Sequence, residues 1–249
     1  MAQVIAVISG KGGGGKSTLT LGLGYALARR NQKVLLIDGD VGLRCLDHML
    51  GISDQLLFDI SDIVSGNCEP RQALYTSQWH PQLHLLSSSH AYERDLTPGV
   101  VQQLVDFLGK YYDYILIDAP AGLGTGVRAA VSAAHLTFVV ATPDPISLRD
   151  AQAVRQAFAG SDRELRLLIN RFSYRTFRRS KNYRTLDEVI DSCGIQLLGV
   201  LPEDKSLPTT IAKGQPFLAS SQLQRSFERI AARLEGESIA IPLKKMVHF

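Results

Sequence analysis

Residues Gly10 to Ser17 read Gly-Lys-Gly-Gly-Gly-Gly-Lys-Ser, a spacing suited to holding a polyphosphate. Glycines let the backbone turn tightly and aim successive N–H groups at phosphate oxygens, and a lysine and a hydroxyl at the loop's end complete the set. In this frame Gly12, Gly13, Gly14, Gly15, Lys16 and Ser17 are the phosphate-binding residues. Lys16 reaches the β/γ-phosphates and Ser17 offers its hydroxyl to Mg²⁺. Lys11 has no task inside its own loop, because Lys16 already occupies the route to the phosphates. It is better explained as a cation offered to a nucleotide across a dimer interface.

Three carboxylates complete a candidate ATPase site. Leu35-Leu36-Ile37-Asp38 leads into Gly39-Asp40, and Tyr114-Ile115-Leu116-Ile117 ends in Asp118. Each is an apolar run closed by an acid. At the ends of strands beside the phosphate loop, such acids lie near the metal and the γ-phosphate. Asp118 and Asp38 are the metal candidates, and Asp40 is better placed to orient or deprotonate the attacking water. Taken singly, a strand-terminal Asp is more often a turn residue; the glycine loop upstream reverses that reading.

The elements that must position these groups are legible. Val4 to Ile8 is a continuous apolar run, as a strand buried on both sheet faces requires. Ser17 to Arg30 carries Leu19, Leu23, Ala26 and Leu27 at helical spacing and ends in two arginines. Strand, glycine loop and helix N-terminus together make an anion site. Further strand candidates are 33–38, 83–87, 114–118, 136–141, 165–170 and 197–201, with helical stretches between them. Thr97-Pro98 opens a helix over 99–111, and Thr185 with Glu188 forms a capping box. The alternation predicts a single α/β domain over 1–235, a mostly parallel twisted sheet of about seven or eight strands with helices on both faces. A short tail, 236–249, follows.

Composition sets the bounds. The chain has 249 residues, 45% hydrophobic and 20% charged, with a net charge of +3, too small to imply nucleic-acid binding by itself. No run of about 18 apolar residues occurs and the N-terminus lacks the order of a secretory signal, so a cytoplasmic location is expected. Cys45, Cys68 and Cys193 are far apart with no C-x-x-C pair, which argues against a disulfide framework or zinc site. The six histidines show no metal spacing.

The loop with its added Lys11 resembles the deviant Walker A family, the MinD/ParA ATPases, which also includes the nitrogenase iron protein. The likeness runs in order along the chain. Residues 38–47 look like the family's first switch segment and 118–122 its second. Thr142-Pro143 with 147–150 is similar to the segment after its fifth strand. Asn170, Arg171, Pro202, Glu203 and Asp204 look like its adenine-recognition elements. The resemblance implies an ATP/ADP- and Mg²⁺-dependent ATPase that closes a homodimer on ATP, with Thr18 joining the phosphate-binding set and Lys11 reaching the partner's nucleotide. Its implied role is spatial regulation of cell division, at septum-site placement, with a regulatory or activating protein partner. Alternatives within the likeness are a DNA-partition ATPase and a flagellar-placement relative. An iron protein needs thiolates near the second switch, and none of the three cysteines falls there. Two departures stand out: Gly14 where the family usually has valine, and Cys45 where it usually has asparagine.

Two surfaces stay open at this stage. Residues 170–184 hold six cations and no acid, interleaved with Phe172, Tyr174, Phe177 and Tyr183. This is either a binding surface for nucleic acid or anionic membrane or a solvated connection whose aromatics pack inward, and DNA is the less favoured partner. The family typically ends in an amphipathic membrane-interface helix. Here Leu243, Met246, Val247 and Phe249 with Lys244 and Lys245 have the ingredients for peripheral contact at the inner face of the cell membrane, but Pro242 and the short length favour packing or disorder equally.

Overall fold

The computed structural model describes residues 1–41, 44–88, 97–161 and 163–246. Gly42 and Leu43 of the first switch segment, His90, and Val247, His248 and Phe249 of the tail lie outside the described residues. The strands are β1 (Gln3–Ile8), β2 (Val34–Asp38), β3 (Leu74–Thr76), β4 (Leu83–Leu86), β5 (Tyr114–Asp118), β6 (Leu136–Ala141), β7 (Glu164–Phe172) and β8 (Leu197–Pro202). They form one eight-stranded sheet in the order β3-β4-β2-β5-β1-β6-β7-β8. Every pairing is parallel except β3 with β4. β3 is the strand the sequence reading lacks: three partly or fully exposed residues on an edge, with no apolar run to mark it.

Strand alternation divides the core in two. Val4, Ala6 and Ile8 of β1 point into one apolar cluster, and Ile5 and Val7 into the other. The first cluster is closed by α4 (Pro98–Leu108), α5 (Thr125–Ala133), α6 (Pro145–Ala157) and α8 (Leu186–Cys193). The second is closed by α1 (Lys16–Arg29), α2 (Cys45–Leu50) and α10 (Gln222–Leu234). Because both faces are covered, the central strands carry unbroken apolar runs rather than an alternating pattern. β1 lies between β5 and β6, at the point where the chain changes its direction of travel across the sheet. A loop leaving the carboxyl end of such a strand sits in the crevice where parallel α/β sheets bind ligands.

Local signals behave as their chemistry requires, with small corrections. Thr97 caps α4 by accepting from the Val100 N–H, with Pro98 in the first turn, but the helix ends at Leu108 rather than Tyr111. Thr185 accepts from the Glu188 N–H. The Glu188 carboxylate reaches back to the Arg184 N–H instead of completing the box at Thr185. Among the remaining short helices, α3 spans Ile60–Val64, α7 Tyr174–Ser180 and α9 Leu207–Ala212. No helix among the described residues is long and apolar enough to cross a membrane.

The tail is docked. The Arg233 guanidinium of α10 donates to the carbonyls of Ile239 and of Leu198 on edge strand β8. Leu243–Lys245 then makes a single 3-10 turn, and the Tyr174 N–H at the start of α7 donates to the Met246 carbonyl at 2.9 Å. Met246 is 3% exposed and belongs to the first apolar cluster, with Ile241 and Leu243 packed against it. The aromatics of 170–184 also point inward: Phe172 and Phe177 are buried and their rings lie 5.3 Å apart.

Candidate active site

The phosphate loop hangs between β1 and α1 and is braced from several sides. Ser9 Oγ donates to the Lys11 carbonyl at 2.7 Å. Gly15 immediately precedes α1 with φ +91, and a Cβ there would fall 2.1 Å from Asn170 Nδ2. Both the left-handed backbone and the approach of Asn170 therefore require glycine. At Gly14 an added Cβ meets only ordinary contacts, the nearest atom being Ser9 Cβ at 3.5 Å. Neither a close approach nor a left-handed backbone requires glycine at this position. Gly12 and Gly13 are exposed, whereas Lys16 is 6% exposed at the first position of α1, with Ser17 and Thr18 half-buried beside it.

The three carboxylates divide into distinct environments. Asp38 and Asp118 are register partners at the ends of adjacent strands, and both are fully buried. Desolvation, then the neighbouring Asp38 charge, pushes Asp118 up to about 7, against the Ser17 hydroxyl and Lys16. Desolvation likewise pushes Asp38 up to about 6, although the N–H groups of Leu46 and Asp40 oppose the rise. Those two N–H groups donate to Asp38 Oδ2 and Oδ1, each at 3.0 Å. Asp38 thus ties down the first switch segment with both oxygens. Asp118 Oδ1 accepts from Thr20 Oγ1 at 3.4 Å and the Ser17 hydroxyl stabilises the carboxylate, while Oδ2 is buried with no geometrically sound hydrogen bond. Such an atom is costly unless a ligand satisfies it.

Asp40 is half-buried. Desolvation raises its pKa and Lys16 pulls it down, which places it within the field of the loop lysine. Gly39, between the two acids, donates to the Asp118 carbonyl at 2.8 Å, and a Cβ at Gly39 would stand 2.8 Å from that oxygen. Cys45, the first residue of α2, is half-buried. Desolvation and the charges of Asp38, Asp118 and Asp40 raise its thiol, so the residue replacing the family's asparagine lies beside the acids. Arg44 precedes it in a left-handed conformation (φ 37) and forms a buried ion pair with Asp47 at 3.1 Å.

Lys11 points the other way. It is exposed, and its ammonium lies 3.9 Å from Asp150 of α6. Against partial desolvation, the Thr142 hydroxyl, the Ser147 N–H and the Lys11 charge hold Asp144 below the usual carboxylate range. Lys11 is thus loosely held in cis by an exposed ion pair of the kind that contributes little. Asp150 and Thr20 are the two residues of this site that sequence reasoning did not assign. Thr20 had a signal: it stands one helical turn after Lys16, on the same face of α1.

The residues nominated for adenine are near one another, and several already have partners. Asn170 Nδ2 donates to the Gly14 carbonyl at 2.9 Å, and its Oδ1 accepts from the Arg171 N–H. In this arrangement Asn170 supports the loop. Arg171 is exposed with φ 52. The Glu203 N–H donates to the Phe172 carbonyl at 3.0 Å, which brings 202–204 alongside the end of β7. Asp204 accepts from the N–H and hydroxyl of Ser206.

A ParA family model, described as NUBPL iron-transfer P-loop NTPase, matches residues 1–235. Septum site-determining protein MinD of Thermotoga maritima is 34% identical, over 97% of this chain and 91% of its own length. The MinC:MinD cell division protein complex of Aquifex aeolicus contains a chain that superposes with a TM-score of 0.88 at 33% identity, covering 96% of this chain and 98% of that one. MinD of Pyrococcus horikoshii complexed with Mg-ADP superposes at 0.82 with 27% identity, covering 94% and 96%.

Proposed function

The chain belongs to the MinD/ParA family of P-loop NTPases, and from that membership we propose that it is an ATPase acting as a MinD-type regulator of cell division. In this reading ATP closes a homodimer and hydrolysis returns it to ADP-bound monomers. The observation that carries the site assignment is Asp118. A fully buried carboxylate with one oxygen unpartnered is the kind of ligand that a phosphate-bound divalent cation takes from protein, completing its shell with the substrate's own oxygens and water, and the charge of the buried loop lysine is felt there. Asp118 and Ser17 would hold Mg²⁺, with Asp38 behind them fixing the switch through Asp40 and Leu46. The cation would neutralise charge on the phosphate oxygens.

The remaining roles follow from position. Lys16 and the N–H groups of 12–18 bind and orient the phosphates. Asp40, under the influence of Lys16, orients the attacking water or takes its proton. Lys11 leaves Asp150 to meet the partner's nucleotide. Asn170 and Arg171, with Pro202, Glu203 and Asp204, take the adenine, which requires the Asn170 amide to give up Gly14. The MinC:MinD complex supports a regulatory protein partner. Peripheral contact with an anionic membrane from the cytoplasm would need the tail to release Met246 from the core, so we assign it to an undocked form. The residues present do not support the iron-transfer role that the matched family model's description names. Cys45 opens α2, Cys193 ends α8 and Cys68 lies in the connection after α3, and no group of three His, Cys, Asp or Glu residues among the described ones is placed to hold a metal.

Calorimetric titration of Mg²⁺ and a non-hydrolysable ATP analogue tests the reading. Wild type is expected to bind, and folded Lys16→Ala to lose roughly a hundredfold or more in affinity, since a buried cation opposite anionic oxygens is removed. Equal affinity would sink the site assignment. Light scattering with ATP and ADP then checks the dimer.

A further inference from the structure

A groove of about 750 Å³ opens between α7, α8 and the docked tail, and no residue of the phosphate loop is in its lining. Its apolar wall includes Tyr174, Leu186, Ile190, Leu197, Ile241 and Leu243, all half-buried. Arg178, Arg184 and Lys244 stand on its lining, and Asp187 is the one acid among those lining residues. Arg175, Arg179 and Lys181 extend the basic surface along α7 and its C-terminal end, all exposed. Phe172 and Phe177 close the groove from below.

We propose that this groove is a docking site for an acidic, amphipathic helical segment of a partner protein, apolar side chains in the groove and acids against Arg178, Arg184 and Lys244. Charge complementarity names the occupant: a rim with three cations to one acid around an apolar floor attracts a segment that is both acidic and apolar on one face. Shape separates it from a membrane. Insertion into a bilayer interface needs apolar side chains that protrude, and the groove's are recessed; none is among the large hydrophobics that stand exposed on this protein. The groove therefore receives a ridge of side chains and does not supply one. Strand addition at β8 fits less well, because the Leu198 carbonyl on that edge is already taken by Arg233. A groove of this size lies within the range of specific ligand sites. The inference is independent of the nucleotide reading.

The test uses the full chain and a fluorescein-labelled 18-residue probe with leucine at positions i, i+3, i+4 and i+7 and glutamate elsewhere. Its counterpart has lysine for glutamate. Anisotropy titration is expected to give at least tenfold tighter binding of the glutamate probe, and Arg178→Glu with Arg184→Glu to lose roughly tenfold or more. Both substitutions are at exposed positions, and Ile190→Gln should weaken binding without charge reversal. Lys16→Ala should bind the probe as wild type does, so failure of the nucleotide site leaves this result readable. Absence of binding, equal affinity for the two probes, or indifference to the Arg178/Arg184 change would overturn the proposal. So would binding gained only when residues 247–249 are removed, which gives the groove to the chain's own end. Sedimentation with anionic phosphatidylglycerol vesicles that depends on Arg178 and Arg184, without probe binding, would assign the basic rim to a membrane.

Discussion

The carboxyl ends of β2 and β5 and the edge at β8 handle their notable residues in opposite ways. At the first, the fold buries two acids side by side and leaves Asp118 Oδ2 without a partner. At the second, the tail's apolar residues find partners: Met246 enters the core and the tail's backbone is held by Arg233 and Tyr174. Residue type flagged both regions. A group left unsatisfied at an energetic cost is poised for a ligand, whereas one already satisfied must first break contacts before it can serve elsewhere.

The sharpest test of the first region is Lys11→Ala. An exposed lysine loosely paired with Asp150 should matter little to folding or to nucleotide binding. If it acts in trans, dimerisation should fail and hydrolysis should fall by roughly 10³-fold. A variant that dimerises with ATP and turns over normally removes the trans role. Asp40→Ala comes next: single-turnover hydrolysis should slow about a hundredfold while ATP affinity holds and the dimer accumulates. Unchanged hydrolysis would move the role to another acid, Asp38 first.

The second region is tested through stability. Met246→Ala deletes a buried side chain and should cost about 2 kcal/mol or more, lowering Tm by roughly 5 °C, with ATP binding intact. A melting curve superimposable on wild type would mean that the tail is not docked in solution, and the tail could then serve a membrane without penalty.

The smallest effect returns to the first region. Asp118 has its folded pKa raised to about 7, so the folded, metal-free protein holds this proton more tightly than the unfolded chain does. That contribution is complete below the unfolded carboxylate value near 4 and is lost as pH rises through about 7. Asp118→Asn should flatten much of this slope, leaving the part due to Asp38. Above pH 7 it should raise Tm by a few degrees, on the order of 1 kcal/mol, while abolishing Mg²⁺-dependent hydrolysis. A Tm at pH 8 below that of wild type would show that Asp118 is satisfied within the apo fold.

Much of this was legible because it is written locally. The glycine loop, its lysines and the strand-terminal acids announce phosphate chemistry by type and spacing, and continuous apolar runs announce strands buried on both faces. What escaped was set by contacts distant in sequence. β3 is too short and too exposed to carry a pattern, and its antiparallel pairing with β4 exists only because an edge was available. β7 runs two residues past Asn170, through a register irregularity against β8, to reach the loop at 202–204.

The sequence by itself therefore determined the kind of chemistry, the family and the alternating α/β plan, since each depends on residue types within a few positions of one another. Only the tertiary structure decided which oxygen of Asp118 stays unpaired, that Asp38 spends both of its own on the switch, that Lys11 rests on Asp150 and that Asn170 braces Gly14. It also decided that Met246 is core. Those outcomes depend on which strands become neighbours and which groups lose water together, and desolvation is a property of the packed interior that no local pattern encodes.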